Sequence, residues 1–309
     1  MTGLEIARAY FDEYGRDILR RYPALTDSIA VGLCGGGSEC FGFDDETSRD
    51  HDWGPSFCIF CDDSISDSDM FLLEKEYMRL PRAFHGYVLR ENSKGGSDRR
   101  GVMRTGEYYK RYTGMSEAPV SLADWLYTPE ECFAEAVNGE IFYDGGGDFV
   151  KIRETIKSGR PEDVRIKKIC ARAAEMAQYG QYNFLRCHSH GERGAAMLAL
   201  SSFVMSAVKM IFLLNHAYCP YYKWAIRKMR ELEVLGDLSD VLEYLLCSEN
   251  SPDGGEKAAI IEDICALVIK EMRGQGLTDS DSDYLEAHAY SAAKRISDVS
   301  LRNMHIMTG

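Results

Sequence analysis

The texture of the chain changes near Phe149, and that change limits the folds open to it. Before it, short apolar runs alternate with one or two helical patterns. An amphipathic helix fits the 20 or so residues after Gly3, with Leu4, Ala7, Tyr10, Phe11, Tyr14, Ile18 and Leu19 at helical spacing and Tyr22-Pro23 as its end. Strands fit Ser28 to Leu33, Asp50 to Cys61, His85 to Arg90, Gly101 to Thr105 and Glu140 to Tyr143, and a helix closed by Pro81 fits Asp67 to Arg79. After it, strand signals stop. Helical patterns follow one another over Pro161 to Cys187, Glu192 to Tyr218, Tyr221 to Leu235, Leu238 to Cys247, Glu256 to Arg273 and Asp281 to Asn303. The expectation is an α+β chain: a mixed-sheet head over residues 1–148, then an all-α helical bundle over 149–309.

Composition narrows the function. With 309 residues, 45% hydrophobic and 28% charged, the chain has globular usage and enough length for two cores. A net charge of -13 argues against extensive nucleic-acid binding, which needs a dense Lys/Arg face. It favours a cationic or neutral second substrate over an anionic one. The start of the sequence lacks the basic-then-apolar pattern of a secretory leader, and ten cysteines then read as reduced thiols of a cytoplasmic protein. Met197 to Leu214 is long enough to span a membrane, but Lys209 and three serines interrupt it, so it reads as a buried core helix and no membrane partner is expected.

The chemistry is concentrated between Gly32 and Pro55. Gly35-Gly36-Gly37 directly after a strand lets the backbone turn sharply and approach a ligand. Ser38 adds a hydroxyl, and a helix starting there would offer free amides to phosphate. Asp50 and Asp52 are two residues apart, so on a strand both carboxylates would share one face, about 7 Å apart along the chain. Such a pair repels itself unless a cation lies between, and hard oxygen donors with room for water and phosphate suit Mg2+. A Gly36-Gly37-Ser38 cradle beside that pair is equipment for attack on a nucleoside triphosphate such as ATP. The Walker pattern fails because no Lys-Ser/Thr follows, and the dinucleotide fingerprint fails because Cys40 stands where its third glycine belongs.

Gly37-Ser38, an eleven-residue gap and Asp50-His51-Asp52 together resemble the signature of the DNA polymerase β-type nucleotidyltransferase superfamily. More closely, Ser38 to Pro55, Gln178 to Asn183 and Leu214 to Trp224 resemble a bacterial group described as domain of unknown function 4037. The superfamily resemblance implies a nucleotidyltransferase-type head and transfer of a nucleoside monophosphate to a hydroxylated acceptor, with release of pyrophosphate. It implies that Gly37 and Ser38 contact the outer phosphates, that Asp50 and Asp52 hold two metal ions, and that a third carboxylate completes the second metal site. Glu107, Glu91 and Asp144 are candidates for the third, Glu107 first. The resemblance also implies a basic residue from the helical tail, for which Lys223 is the candidate; a solvated lysine is the plainer alternative. Tyr221, Tyr222 and Trp224 could stack on a base but are more often bundle core.

Other signals carry less. Cys58 and Cys61 have CxxC spacing, yet residues three apart on a strand face opposite sides. Cys187-His188-Ser189-His190 reads as a helix end, and Asp279 to Asp283 reads as a helix N-terminus rather than a calcium loop, since Tyr284 stands where glycine is needed. His51 should point into the sheet, away from the aspartates. Asp44, Asp45 and Glu46 are either outer partners of the metal site or an exposed turn. Three functions follow: transfer to a small molecule, the same chemistry on a protein or RNA, or a nucleotide-binding sensor or interaction module without turnover. The long apolar helices also offer a surface for a homodimer.

Overall fold

The computed structural model describes residues 1–50, 53–88, 99–251 and 253–309, with Arg49 and Asp50 described by backbone alone. The chain divides into two compact units: Met1–Val120 with Cys132–Gly159, and Ser121–Glu131 with Arg160–Gly309.

The first unit is built on a four-stranded sheet. Its strands are β1 (Ile29–Leu33), β2 (Cys58–Cys61), β5 (Gly101–Arg104) and β6 (Glu140–Asp144), in the order β5-β2-β1-β6; a separate hairpin is made by β3 (Ala83–Phe84) and β4 (Tyr87–Val88). β1 runs antiparallel to both β2 and β6, while β2 and β5 are parallel. All five residues of β1 are buried, as a central strand covered on two faces requires. The faces are legible in β2, where successive side chains alternate. Ile59 and Cys61 join Phe11, Phe57 and the N-terminal helix in one core. On the other side Phe60 stacks on Phe149 at a centroid separation of 3.7 Å, with Tyr108 packed edge-on.

Several expected boundaries move. The strand expected over Asp50 to Cys61 begins only at Cys58, and Asp50 closes a 3-10 turn, Thr47–Asp50. Gly54, at φ 141°, and Pro55, with no N–H to give a ladder, interrupt pairing before Phe57. The strand expected over His85 to Arg90 is the turn and second strand of the β3–β4 hairpin; His85 and Gly86 take the positive φ of its two-residue turn, and residues 89 and 90 lie outside the described residues. The N-terminal run is helical from Gly3 to Arg21 but passes through a π-helical stretch, Phe11–Gly15. Gly15 is required there, since a Cβ would meet the Phe11 ring at 2.4 Å and Phe57 at 2.8 Å.

The boundary at 148/149 also shifts. The helix Asp148–Ser158 belongs to the sheet unit, which Phe149 anchors against Phe60, so the loss of strand signal marked the last strand rather than the end of the unit. Among the described residues, the regular elements of the second unit are all helices. Its centre is Arg193–Leu214, a helix apolar enough to cross a membrane, with 67% of its most apolar window buried. Expected helices end early where the chain turns: Tyr222–Met229 stops short of Leu235, and the last pattern is broken into Leu285–Ala293 and Val299–Asn303, the second capped by Asp298. Asp279 to Asp283 precede a helix beginning at Leu285. Lys167 and Lys257 are fully buried and donate to backbone carbonyls, Lys167 to Met304 (3.0 Å) and His305 (2.8 Å), Lys257 to Leu245 (2.8 Å) and Ser248 (2.7 Å).

Candidate functional site

β1 delivers the chain into Gly35-Gly36-Gly37-Ser38 at one end of the sheet. Gly35 (φ 98°) and Gly37 (φ 128°) take conformations that L side chains avoid. Space forbids a side chain as well: a Cβ on Gly35 would lie 2.2 Å from the Tyr112 hydroxyl, and one on Gly37 2.6 Å from a Glu39 carboxylate oxygen. Protein groups hold two amides of the bend, since Gly35 N–H donates to Asn138 Oδ1 (2.7 Å) and Gly36 N–H to the Tyr112 hydroxyl (2.8 Å). Asn138 Nδ2 returns a hydrogen bond to the Gly35 carbonyl at 2.7 Å. Gly36 therefore shapes the bend rather than offering its amide. The amides of Gly37 and Ser38 have no hydrogen-bond partner among the described residues.

The helix expected after Ser38 is a single 3-10 turn, Glu39–Phe41, ended by Gly42 in the left-handed region, so the chain does not open a long helix directly after Ser38. Two arginines, which the sequence pattern did not single out, stand beside it. Arg99 Nη1 lies 3.6 Å from the place a Cβ on Gly36 would occupy. Arg100 forms a buried ion pair with Glu39, whose carboxylate folds under Gly37. Burial raises the thiols of Cys34, to about 12, and of Cys40 and Cys58, so these cysteines are neutral fillers of the same end. Cys58 donates to the Arg99 carbonyl while Cys61 packs in the opposite core, as their spacing predicted.

Strand register decides which acids reach this end. Gly32 pairs with Cys58, and Cys58 with Gly101; Ile29 pairs with Cys61, and Cys61 with Arg104. β5 therefore starts beside the bend and finishes at the far end, where the helix Thr105–Thr113 begins. Glu107, exposed on its first turn, leaves from that far end, about 13 Å of strand away. Asp144 pairs opposite Ala30 and also lies at the far end, accepting the Gly146 N–H at 2.8 Å. The sheet thus does not bring Glu107 or Asp144 to the glycine bend. The helix bearing Glu107 runs back along the sheet, and that return carries Tyr112 to Gly36.

Asp50, by its side chain, and Asp52, His51 and Glu91 lie outside the described residues. The backbone does overturn the strand premise for the aspartate pair, because Asp50 sits in a 3-10 turn. Among the described residues no group of three or more His, Cys, Asp or Glu side chains is placed to hold a metal ion. One oxygen nearby in sequence is of the kind Mg2+ takes: Asp44 Oδ1 is buried without a partner among the described residues, while Oδ2 accepts from Gly3 N–H (2.8 Å) and Trp53 Nε1 (3.1 Å). Asp44 is thus held in place and partly buried, while Asp45 and Glu46 are exposed. In the helical unit Lys223 is exposed on the first turn of Tyr222–Met229, its ammonium 4.9 Å from the Trp224 ring centroid. Tyr221 and Tyr222 are exposed rather than core.

The family model described as "Domain of unknown function (DUF4037)" matches residues 125–225. The chain resembles that family over this stretch, about a third of its length. Gln178 to Asn183 and Leu214 to Trp224 fall inside the match, whereas Ser38 to Pro55 falls outside it. No curated protein matches the chain.

Proposed function

We propose that the protein is a Mg2+-dependent nucleotidyltransferase that moves a nucleoside monophosphate, AMP from ATP foremost, to a hydroxyl of a small acceptor. The observation that carries this reading is the Gly35–Ser38 bend, with unengaged amides at Gly37 and Ser38 and the Arg99 guanidinium beside it. Free amides and a guanidinium beside one bend favour an oxyanion by charge and by hydrogen bonding. Ser38 and Gly37 contact the outer phosphates, Arg99 balances charge that builds on the departing pyrophosphate, and Tyr112 keeps the bend in shape.

Asp50 and Asp52 would hold the metal, with Asp44 Oδ1 as a neighbouring oxygen donor. When bound, the ion would polarise the phosphoryl oxygens. The acceptor oxygen attacks the α-phosphorus, its proton leaves to a base, and the bond to pyrophosphate breaks. Incubation with Mg2+, each nucleoside triphosphate and a panel of hydroxylated acceptors tests this. Pyrophosphate release should fall about 100-fold or more in Asp50→Asn. A labelled protein band or RNA from lysate given labelled ATP would move the same chemistry to a macromolecular acceptor.

A second reading, a nucleotide-binding module without turnover, is favoured by one observation: Glu107 and Asp144 stand at the wrong end of the sheet. Tight Mg2+-ATP binding by calorimetry, with nucleotide intact after long incubation, would decide for it.

A further inference from the structure

The helical unit holds a cavity of about 320 Å³, inside the range of small-molecule sites. Lys168, Arg172 and Lys209 line it with Glu130 and Glu131, and Leu126, Pro129 and Leu213 supply an apolar wall. Every lining residue except Gly309 falls within the stretch that matches the family model.

The cations are unequally satisfied. Lys168 Nζ donates to Glu130 at 2.7 Å, and Arg160 takes the other oxygen of the same carboxylate, also at 2.7 Å. Arg172 Nη2 reaches Glu175 (3.0 Å) and the Gly309 backbone oxygen (2.7 Å), and its Nε is buried with no acceptor among the described residues. Lys209 is joined to no acid by an ion pair among the described residues; Glu131 shares the cavity but makes none with it. Lys209 therefore presents an ammonium with no acid on it to a cavity that Arg172 also lines, an arrangement that favours an anion there by charge and hydrogen bonding.

We propose that this cavity binds a small organic anion, its phosphate or carboxylate group on Lys209 and Arg172 and its apolar body against Leu126, Pro129 and Leu213. The inference does not rest on the nucleotidyltransferase reading. It also runs against the cationic or neutral partner that net charge favours, because local charge, not the whole-chain sum, governs a pocket.

Phenyl phosphate and benzoate serve as probes, with benzyl alcohol as the neutral analogue and inorganic phosphate as the headgroup alone. Titration of the full chain by calorimetry should give saturable binding of an anionic probe, absent for benzyl alcohol. Lys209→Gln should weaken it about tenfold or more, Lys209→Arg should retain it, and Gly37→Ala in the sheet unit should leave it unchanged. Methyl resonances of Leu126 and Leu213 should shift on addition of the binding probe to the wild-type protein, a measurement that needs no variant. Equal binding of benzyl alcohol, unchanged affinity in Lys209→Gln, or methyl signals that stay still would each overturn the assignment. Inorganic phosphate binding as tightly as phenyl phosphate would overturn the apolar half of it.

Discussion

The sheet unit and the helical unit both bury charge, and they complete it differently. In the sheet unit buried charge sits at the two ends of the strands, beside glycine turns: Glu39 with Arg100 under the Gly35–Ser38 bend, and Asp62 beside Gly147. In the helical unit cations run through the interior and are closed off by the chain itself. Lys167 and Lys257 use backbone carbonyls, and Lys168 and Arg160 share Glu130. A buried charge already completed by its own chain is architecture, even beside a bend or cavity as Arg100 and Lys168 are; one left without an acid partner there is where a ligand can add something. By that criterion the Arg99 bend and the Lys209 cavity stand apart from the other buried cations.

The sharpest way to break this distinction is Glu130→Gln. It leaves Lys168 and Arg160 buried without a counter-charge, and urea unfolding should show a loss of about 3–5 kcal/mol. A loss under about 1 kcal/mol would mean solvent already reaches the trio. Next comes Lys257→Met, which keeps the stem but orphans the carbonyls at the end of Leu238–Cys247. A loss of about 2–3 kcal/mol is expected by the same measurement. Gly37→Ala should cost about 1–2 kcal/mol through its φ and its contact with Glu39, and should weaken ATP binding in calorimetry more than it lowers stability.

Asp62→Asn should have the smallest effect, under about 1 kcal/mol and in the stabilising direction. Burial raises the Asp62 carboxyl above its usual value, with Asp148 and Asp63 adding to the rise and the Asp148 amide opposing it. A folded value above the unfolded one means the native state holds the extra proton. The associated stability is therefore present below the unfolded value near 3.8 and lost as pH rises through the raised folded value. The advantage of Asp62→Asn over wild type should shrink as pH falls towards 3.8, in unfolding curves taken across that window.

Legibility followed the same physical lines. β1 and the bend could be read because an apolar run into three glycines and a serine has few other uses. The α+β order could be read because periodicities of 2 and 3.6 differ sharply. The second strand was read too long, since aromatic and small apolar residues look strand-like until Gly54 and Pro55 are weighed as breakers. The distance of Glu107 from the bend is hidden for another reason: only register shows that β5 is parallel to β2 and carries its C-terminal end away from the bend. Arg99 and Arg100 carry no periodicity and were missed. In the sequence Lys209 is only an interruption of an apolar helix; that it lines one cavity with Arg172 depends on how two helices pack.

The hydroxyl of Tyr112 has a consequence for solution behaviour. Burial raises this phenol above its ordinary value, although the Gly36 amide that donates to it pulls the other way. It stays protonated well into alkaline conditions, accepting from Gly36 throughout. The clamp on the glycine segment should then be indifferent to buffer from mildly acidic to alkaline, so any pH sensitivity of ligand capture there belongs to the ligand or to other ionising groups.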